Sequence, residues 1–271
     1  MSAPAEQAVH AAVVSRLRAA GCVFAEDEAQ LLISEARTDS DLTSMVDQRV
    51  DGLPLEQVLG WAEFRGHRIV VDPGVFVPRR RTEFLVTQAA AVAPPAPLVL
   101  DLCCGSGAVG AVLLAELDDV ELHAADIDPA AVHCARRNIA AAGGRVYGGD
   151  LYEPVPDGLR GRVEVLVVNA PYVPTGAIEL MPPEARLHEP RVALDGGVDG
   201  LDIHRRVAAE AADWLAPGGH VLIEASERQA PHTAEMFARN GLVPRTAACE
   251  ELDASVVIGT RPAVHSGSCT R

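Results

Sequence analysis

Two short stretches of this chain bring together residue types that can do chemistry. The first is Asp101-Leu102-Cys103-Cys104-Gly105-Ser106-Gly107-Ala108-Val109-Gly110, where an apolar run closes in glycines and a helical pattern opens. Gly105 and Gly107 allow a tight bend and let a ligand approach without a Cβ in its way. Asp126 closes the next apolar run, placed to accept hydrogen bonds from both hydroxyls of a ribose. Gly105, Gly107 and Gly110 also satisfy the spacing of a dinucleotide fingerprint, which alone is a weak signal. Asp101, suited to the cationic amino group of a methionine, favours S-adenosylmethionine over a nicotinamide dinucleotide. The chemistry at the end of the fourth strand favours it too. Asp150, just past the third strand region, is expected near the adenine edge.

That chemistry is the second stretch, Asn169-Ala170-Pro171-Tyr172, immediately after the apolar run Val163 to Val168. Asn169 offers a carbonyl oxygen and an NH2, and the Ala170 carbonyl, held by Pro171, offers a second acceptor. Two acceptors converging on one planar NH2 would aim its nitrogen at a methyl sulfonium, with Tyr172 packed beside the planar group. The expected acceptor is an amide or an exocyclic amine. Read alone, the stretch is a proline turn capped by Asn169; together with the glycine loop it reads as an acceptor site.

Other candidates carry less. His188-Glu189 is followed by Pro190 and lacks metal-ligand spacing, so a solvated loop is expected. Ser106 has Cys104 where a hydrolase nucleophile turn needs glycine. Arg79-Arg80-Arg81 is either a solvated face or a contact for RNA or an acidic partner. The six cysteines, Cys22, Cys103, Cys104, Cys134, Cys249 and Cys269, form no C-x-x-C pair. No zinc or other metal site is expected, and Cys103 and Cys104 read as small buried thiols.

These groups need a scaffold, and alternation of strand and helix patterns supplies one. Strands are expected at Leu98 to Leu102, Glu121 to Asp126, near Val146, Val163 to Val168 and His220 to Glu224. Helices are expected at Ala108 to Leu117, Ala130 to Ala142 and Leu201 to Leu215, giving parallel strands with helical crossovers. A helix near Gln229 to Asn240 and strands near Val243 and Val256 suggest an antiparallel edge. Upstream, Glu83 to Val92 reads as helix, broken by Pro94, Pro95 and Pro97. Ile69 to Val71 and Val75 to Val77, flanking Asp72-Pro73-Gly74, read as a β-hairpin. Before it, apolar spacing at Val9, Val13 and Leu17, at Leu31 and Leu32, and at Leu42, Met45 and Val46 predicts three helices, with Asp41 capping the third. The expected divisions are a helical bundle over 1–60, a hairpin linker over 61–78, a catalytic domain over 79–260 and a loose tail over 261–271.

Composition narrows the function classes. The chain has 271 residues, 23 basic against 38 acidic side chains for a net charge of −15, and 4% aromatics. That field repels phosphate backbones, and few aromatics are available to stack on a flipped base. Met1 to Glu6 lacks a basic start leading into an apolar run, and no window of about 18 apolar residues exists. A cytoplasmic protein with reduced thiols and no membrane contact is expected.

The motifs resemble a family, the N5-glutamine protein methyltransferases of the PrmC/HemK type that modify peptide chain release factors. Asn169-Ala170-Pro171-Tyr172 is similar to its N-P-P-Y loop, with Ala170 in place of the first proline. Val77-Pro78-Arg79 with Thr82-Glu83 resembles its I-P-R-P-x-T-E signature, with Arg80 in place of the second proline. Pro54 to Gly60 with Phe64, and the run from Glu189-Pro190 through Ala193 to Gly197 and Asp199-Gly200-Leu201, extend the likeness over roughly Pro54 to Thr260. The resemblance implies a class I S-adenosylmethionine-dependent methyltransferase, an α/β doubly wound domain with a mostly parallel seven-stranded sheet and a small helical domain that recognises the substrate. It further implies that Cys103, Cys104, Gly105, Ser106, Gly107 and Asp126 bind the cofactor, with Leu151 flanking the adenine. Asn169, Ala170, Pro171 and Tyr172 would hold the glutamine beside the methyl group, and Arg79, Thr82 and Glu83 would lie at the active-site mouth. The implied partner is a class I release factor, and the implied process is translation termination. A paralogue with another protein target, an adenine or cytosine N-methyltransferase and a non-catalytic S-adenosylmethionine-binding protein stand as alternatives.

Overall fold

The computed structural model describes residues 3–263. Four helices come first: α1 (Ala3–Ala19), α2 (Ala25–Glu35), α3 (Asp39–Val50) and the short α4 (Leu55–Leu59). Val13, Leu17, Leu32, Met45 and Val46 bury together with Ala25 and Ala29, a small core. Ion pairs fasten these helices to the rest of the chain: Arg49, bonded to Glu28 at 2.7 Å, also reaches Glu184 at 2.9 Å, and Arg68 bonds Glu35 at 2.7 Å. The cap of α3 is Thr38 rather than Asp41. Extended backbone at Thr38 lets its hydroxyl accept from the Asp41 N–H at 3.1 Å, while Asp41 reaches back to the Arg37 N–H at 3.0 Å.

The hairpin also differs from expectation. Its strands are β1 (Trp61–Phe64) and β2 (His67–Val70), joined at Arg65-Gly66, both with positive φ. That is the backbone a two-residue hairpin turn requires, and Arg65 in place of the usual Asn or Asp hid it. Val75 to Val77 forms no strand: Val75 closes a turn, its N–H donating to the Asp72 carbonyl at 3.1 Å. Val75 and Val77 instead bury with Ala62, Val71 and Cys134, and Gln57 satisfies the turn by donating to the Val75 carbonyl at 3.0 Å. Asn138 locks the hairpin to the main domain, accepting from the Val70 N–H and donating to the Val70 and Ser106 carbonyls, all within 2.9 Å.

Helix α5 (Glu83–Val92) leads into the alternating region: β3 (Leu98–Leu102), α6 (Ala108–Glu116), β4 (Glu121–Asp126), α7 (Pro129–Ile139), β5 (Arg145–Gly148), β6 (Val163–Val168), α8 (Pro183–His188), α9 (Asp202–Trp214), β7 (Leu215–Ala225), α10 (Ala230–Arg239), β8 (Val243–Cys249) and β9 (Ala254–Thr260). One seven-stranded sheet results, in the order β5-β4-β3-β6-β7-β9-β8. The first five strands in that order are parallel, and β9 and β8 form the antiparallel edge. Alternation along each strand divides the core. Leu100, Leu102, Leu166, Val168 and Ile223 face α9 and α10, while Val99, Val165, Val167 and Leu222 face α5 and α6. Asp101 and Glu224 therefore point to the α5/α6 side. Among the described residues no helix is long and apolar enough to cross a membrane. Cys269 and most of the expected loose tail lie outside the described residues.

Candidate active site

The carboxyl ends of the parallel strands form one edge, and a cavity of about 760 Å³ opens there. Asp101 lies in its wall, 2% exposed, with Oδ2 accepting the Gly110 N–H at 3.1 Å. This approach explains the third glycine: a Cβ on Gly110 would sit 2.9 Å from Leu122 and 3.3 Å from the Asp101 carboxylate. No cation pairs with Asp101 among the described residues. Burial, and after it the charge on Asp126, push its pKa up to about 7.

Asp126 is tied at both oxygens, accepting the Gly105 N–H at 2.8 Å and the Asp128 N–H at 2.9 Å. Burial raises its pKa and these backbone bonds oppose the rise. Each oxygen keeps a lone pair for a ribose hydroxyl. Cys103, directly after β3, and Leu151, three residues past the end of β5, hold left-handed backbone at φ +57° and +47° and both line the cavity. Each costs roughly 1 kcal/mol, strain of the kind concentrated at ligand sites. Cys104, Gly105 and Ser106 line the cavity as well, whereas Gly107 lies behind the loop, packed on Ala135. Asp150 is on the wall with one oxygen paired to Arg206 at 2.8 Å. A buried carboxylate without a counter-cation, beside a second one facing space for a diol, fits S-adenosylmethionine.

Asn169 and Ala170 follow β6 on the same wall. Asn169 Nδ2 donates to Thr82 Oγ1 at 3.3 Å, and neither Asn169 Oδ1 nor the Ala170 carbonyl accepts a hydrogen bond among the described residues. Tyr172 donates its hydroxyl to Glu224 at 3.3 Å; burial first, then the Glu224 charge, push the phenol pKa to about 12. The glycine run downstream supports this loop. Gly200, at φ +76°, sits where a Cβ would lie 2.2 Å from the Tyr172 carbonyl, and Gln229 bonds that carbonyl at 2.9 Å.

Three expectations need correction. Glu83 does not reach the mouth: it opens α5 on the side of the hairpin and accepts the Arg65 N–H at 3.3 Å. Glu189 is not solvated. Its side chain is fully buried, bonding the Val77 N–H at 3.1 Å and Arg79 at 2.7 and 2.6 Å, because a bend after α8 turns it under the segment that carries Arg79. Arg79 thereby lines the cavity over Phe76, half-buried; Arg81 lines it too from an exposed position, and Arg80 is exposed outside it. Cys103 is only partly buried, because its left-handed backbone brings it to the cavity wall. Gln229, Arg206 and Glu224 went unread in the sequence. Glu224 carried the same signal as Asp101 and Asp126, an acid closing an apolar strand.

The family described as methyltransferase small domain matches residues 66–247. A release factor glutamine methyltransferase of Geobacter sulfurreducens is 40% identical over 199 residues, 73% of this chain and 69% of that protein. A 4-amino-L-phenylalanine/4-methylamino-L-phenylalanine methyltransferase of Streptomyces pristinaespiralis is 36% identical over 203 residues, 72% of this chain and 69% of that protein. A solved methyltransferase from Pyrococcus furiosus shares the fold, with a TM-score of 0.56 at 16% identity, covering 81% of this chain and 99% of that one.

Proposed function

This chain belongs to the release factor glutamine methyltransferase family, and on that premise we propose that it methylates the side-chain amide nitrogen of a glutamine in a class I peptide chain release factor. S-adenosylmethionine supplies a methyl group on a positively charged sulfur. The observation that carries the reading is the pair of free oxygens, Asn169 Oδ1 and the Ala170 carbonyl, on the same cavity wall as Asp101 and Asp126.

In this reading Asp101 takes the methionine ammonium, Asp126 the ribose hydroxyls, and Leu151 and Asp150 flank the adenine, with the backbone from Cys103 to Ser106 closing the floor. Asn169 and Ala170 each accept one N–H of the glutamine amide, and Tyr172 packs against its plane. An amide nitrogen is a poor nucleophile because its lone pair is shared with the carbonyl. Catalysis therefore rests on holding that nitrogen in line with the methyl carbon and excluding water, with the two acceptors drawing on its hydrogens. The nitrogen sheds one proton after attack, and the cavity mouth passes it to water. We assign acceptor recognition to the helical unit over 1–60, because Phe24, Asp27, Glu28 and Leu31 line the same cavity. Work on a translation factor puts the protein in the cytoplasm.

The amine methyltransferase relative supports a second reading, a free aromatic amine as acceptor. Incubation with methyl-labelled cofactor and, separately, a class I release factor, free 4-aminophenylalanine and duplex DNA distinguishes the readings by mass spectrometry. Label on a release-factor glutamine is expected, and Asn169→Ala lowers that transfer by about a hundredfold or more while cofactor affinity holds. Label on the free amine or DNA alone, or full transfer by the variant, refutes the assignment.

A further inference from the structure

We propose that Glu224 is a positioning residue for methyl transfer: through Thr82 it sets which end of the Asn169 amide faces the acceptor. The inference rests on the amide-acceptor reading of the Asn169 loop and adds a residue outside the cavity wall. In the β6/β7 register Val168 lies opposite Ile223, so the next residues, Asn169 and Glu224, are cross-strand neighbours at the strand ends. Alternation puts Glu224 on the face of Leu222, toward the start of α5, where Thr82 is buried.

Glu224 is 2% exposed. The Tyr172 hydroxyl donates to its Oε1, while Oε2 is buried without a hydrogen-bond partner among the described residues. A buried carboxylate oxygen left unpaired is costly, and a fold that retains one has a use for it. Thr82 supplies the use. Its Oγ1 accepts from Asn169 Nδ2 at 3.3 Å and its own proton meets no acceptor among the described residues, and since Asn169 and Glu224 end neighbouring strands, the unpaired Oε2 is the acceptor left for it. Burial pushes the Glu224 pKa up, while Thr82, the Arg81 charge and the Tyr172 hydroxyl act against that rise.

Proton order along this chain of groups is set by the donor inventory. A carboxylate can only accept: Tyr172 donates to Oε1, and the Thr82 proton is the one left to turn to Oε2. Thr82 Oγ1 then keeps a lone pair for Asn169 Nδ2, and Asn169 Oδ1 is left for the N–H of the acceptor amide. Glu224→Gln breaks the order. A glutamine amide can donate to Thr82 Oγ1, taking the lone pair that Asn169 uses, and the Asn169 amide can then turn over and meet the acceptor NH2 with its own NH2.

The test uses the full chain, a class I release factor and methyl-labelled cofactor. Glu224→Gln and Thr82→Val should each lower kcat about tenfold or more through misalignment, with cofactor affinity held within about twofold. The double variant should be no slower than the worse single variant, because both cut the same chain, and Thr82→Ser, which keeps the hydroxyl, should restore kcat. The Asn169 side-chain NH2 signals in a nitrogen-15 spectrum, identified by their loss in Asn169→Ala, should shift in Glu224→Gln and in Thr82→Val. Wild-type kcat in Glu224→Gln, losses that multiply in the double variant, or unmoved Asn169 signals would overturn the proposal. A wild type that leaves release-factor glutamine unmethylated overturns the acceptor reading instead, and the spectrum still decides the network.

Discussion

Replacing Asp101 by Asn should make the ligand-free protein more stable at alkaline pH and at the same time a weaker binder of S-adenosylmethionine. The substitution keeps size and an oxygen for the Gly110 N–H, removing only the charge. In the free protein that charge is buried and unpaired. The rise in pKa from 3.8 to about 7 corresponds, at ~1.36 kcal/mol per unit, to at most about 4 kcal/mol against the charged form. The folded state keeps a proton that the unfolded chain has already released. The contribution of Asp101 to wild-type stability is therefore full below about pH 4, declines as pH rises to about 7 and is flat above it. Urea unfolding should show the two proteins alike near pH 4 and the variant ahead by about 2–4 kcal/mol at pH 8. The ligand reverses the balance, since its ammonium is the missing cation. Calorimetry at pH 8 should show S-adenosylmethionine bound about 1.5–3 kcal/mol more weakly by the variant. Wild-type affinity should fall as pH drops below about 7, where a proton must leave Asp101 before the cofactor binds, and the variant should lose that slope. Equal stability at pH 8 would refute the buried, unpaired charge, and equal affinity would remove Asp101 from the ammonium site.

Two further substitutions probe the groups around it. Asp126→Ala should weaken S-adenosylmethionine by about 1.5–3 kcal/mol in calorimetry, and because Asp126 also anchors the Gly105 and Asp128 N–H groups, amide exchange should quicken in both loops. Arg79→Ala should destabilise the fold by about 3 kcal/mol in urea unfolding, because Glu189 is left buried with only the Val77 N–H; the double substitution Arg79→Ala with Glu189→Gln should recover part of that loss.

Features that depend on neighbours along the chain are legible in the residues alone. β3, β4, β6 and α5 fall where their apolar runs end, because Gly105, Pro94 and Asn169-Ala170-Pro171 are local punctuation that no packing overrides. The residues that line the cavity at those ends, Asp101, Asp126 and Asn169, were legible for the same reason: an acid or amide closing an apolar strand marks the carboxyl edge of a parallel sheet. Tertiary structure decided everything that depends on which side of an element is covered. The hairpin was misplaced because Val75 and Val77 have strand-like residue types, yet they are held by burial against Cys134 and Ala62 rather than by a partner strand. Glu83 lies next to Thr82 in the chain, but one turns to the hairpin and the other to the cavity, a choice set by how α5 sits on the sheet. Glu189 looks like a surface acid because charge is normally solvated, and Glu224, though an acid closing an apolar strand, gives no sign in the sequence of what covers it. Only the placement of β7 between β6 and β9, and of the chain after α8 beneath Arg79, withdraws them from water and joins residues 110 positions apart in the Arg79–Glu189 pair.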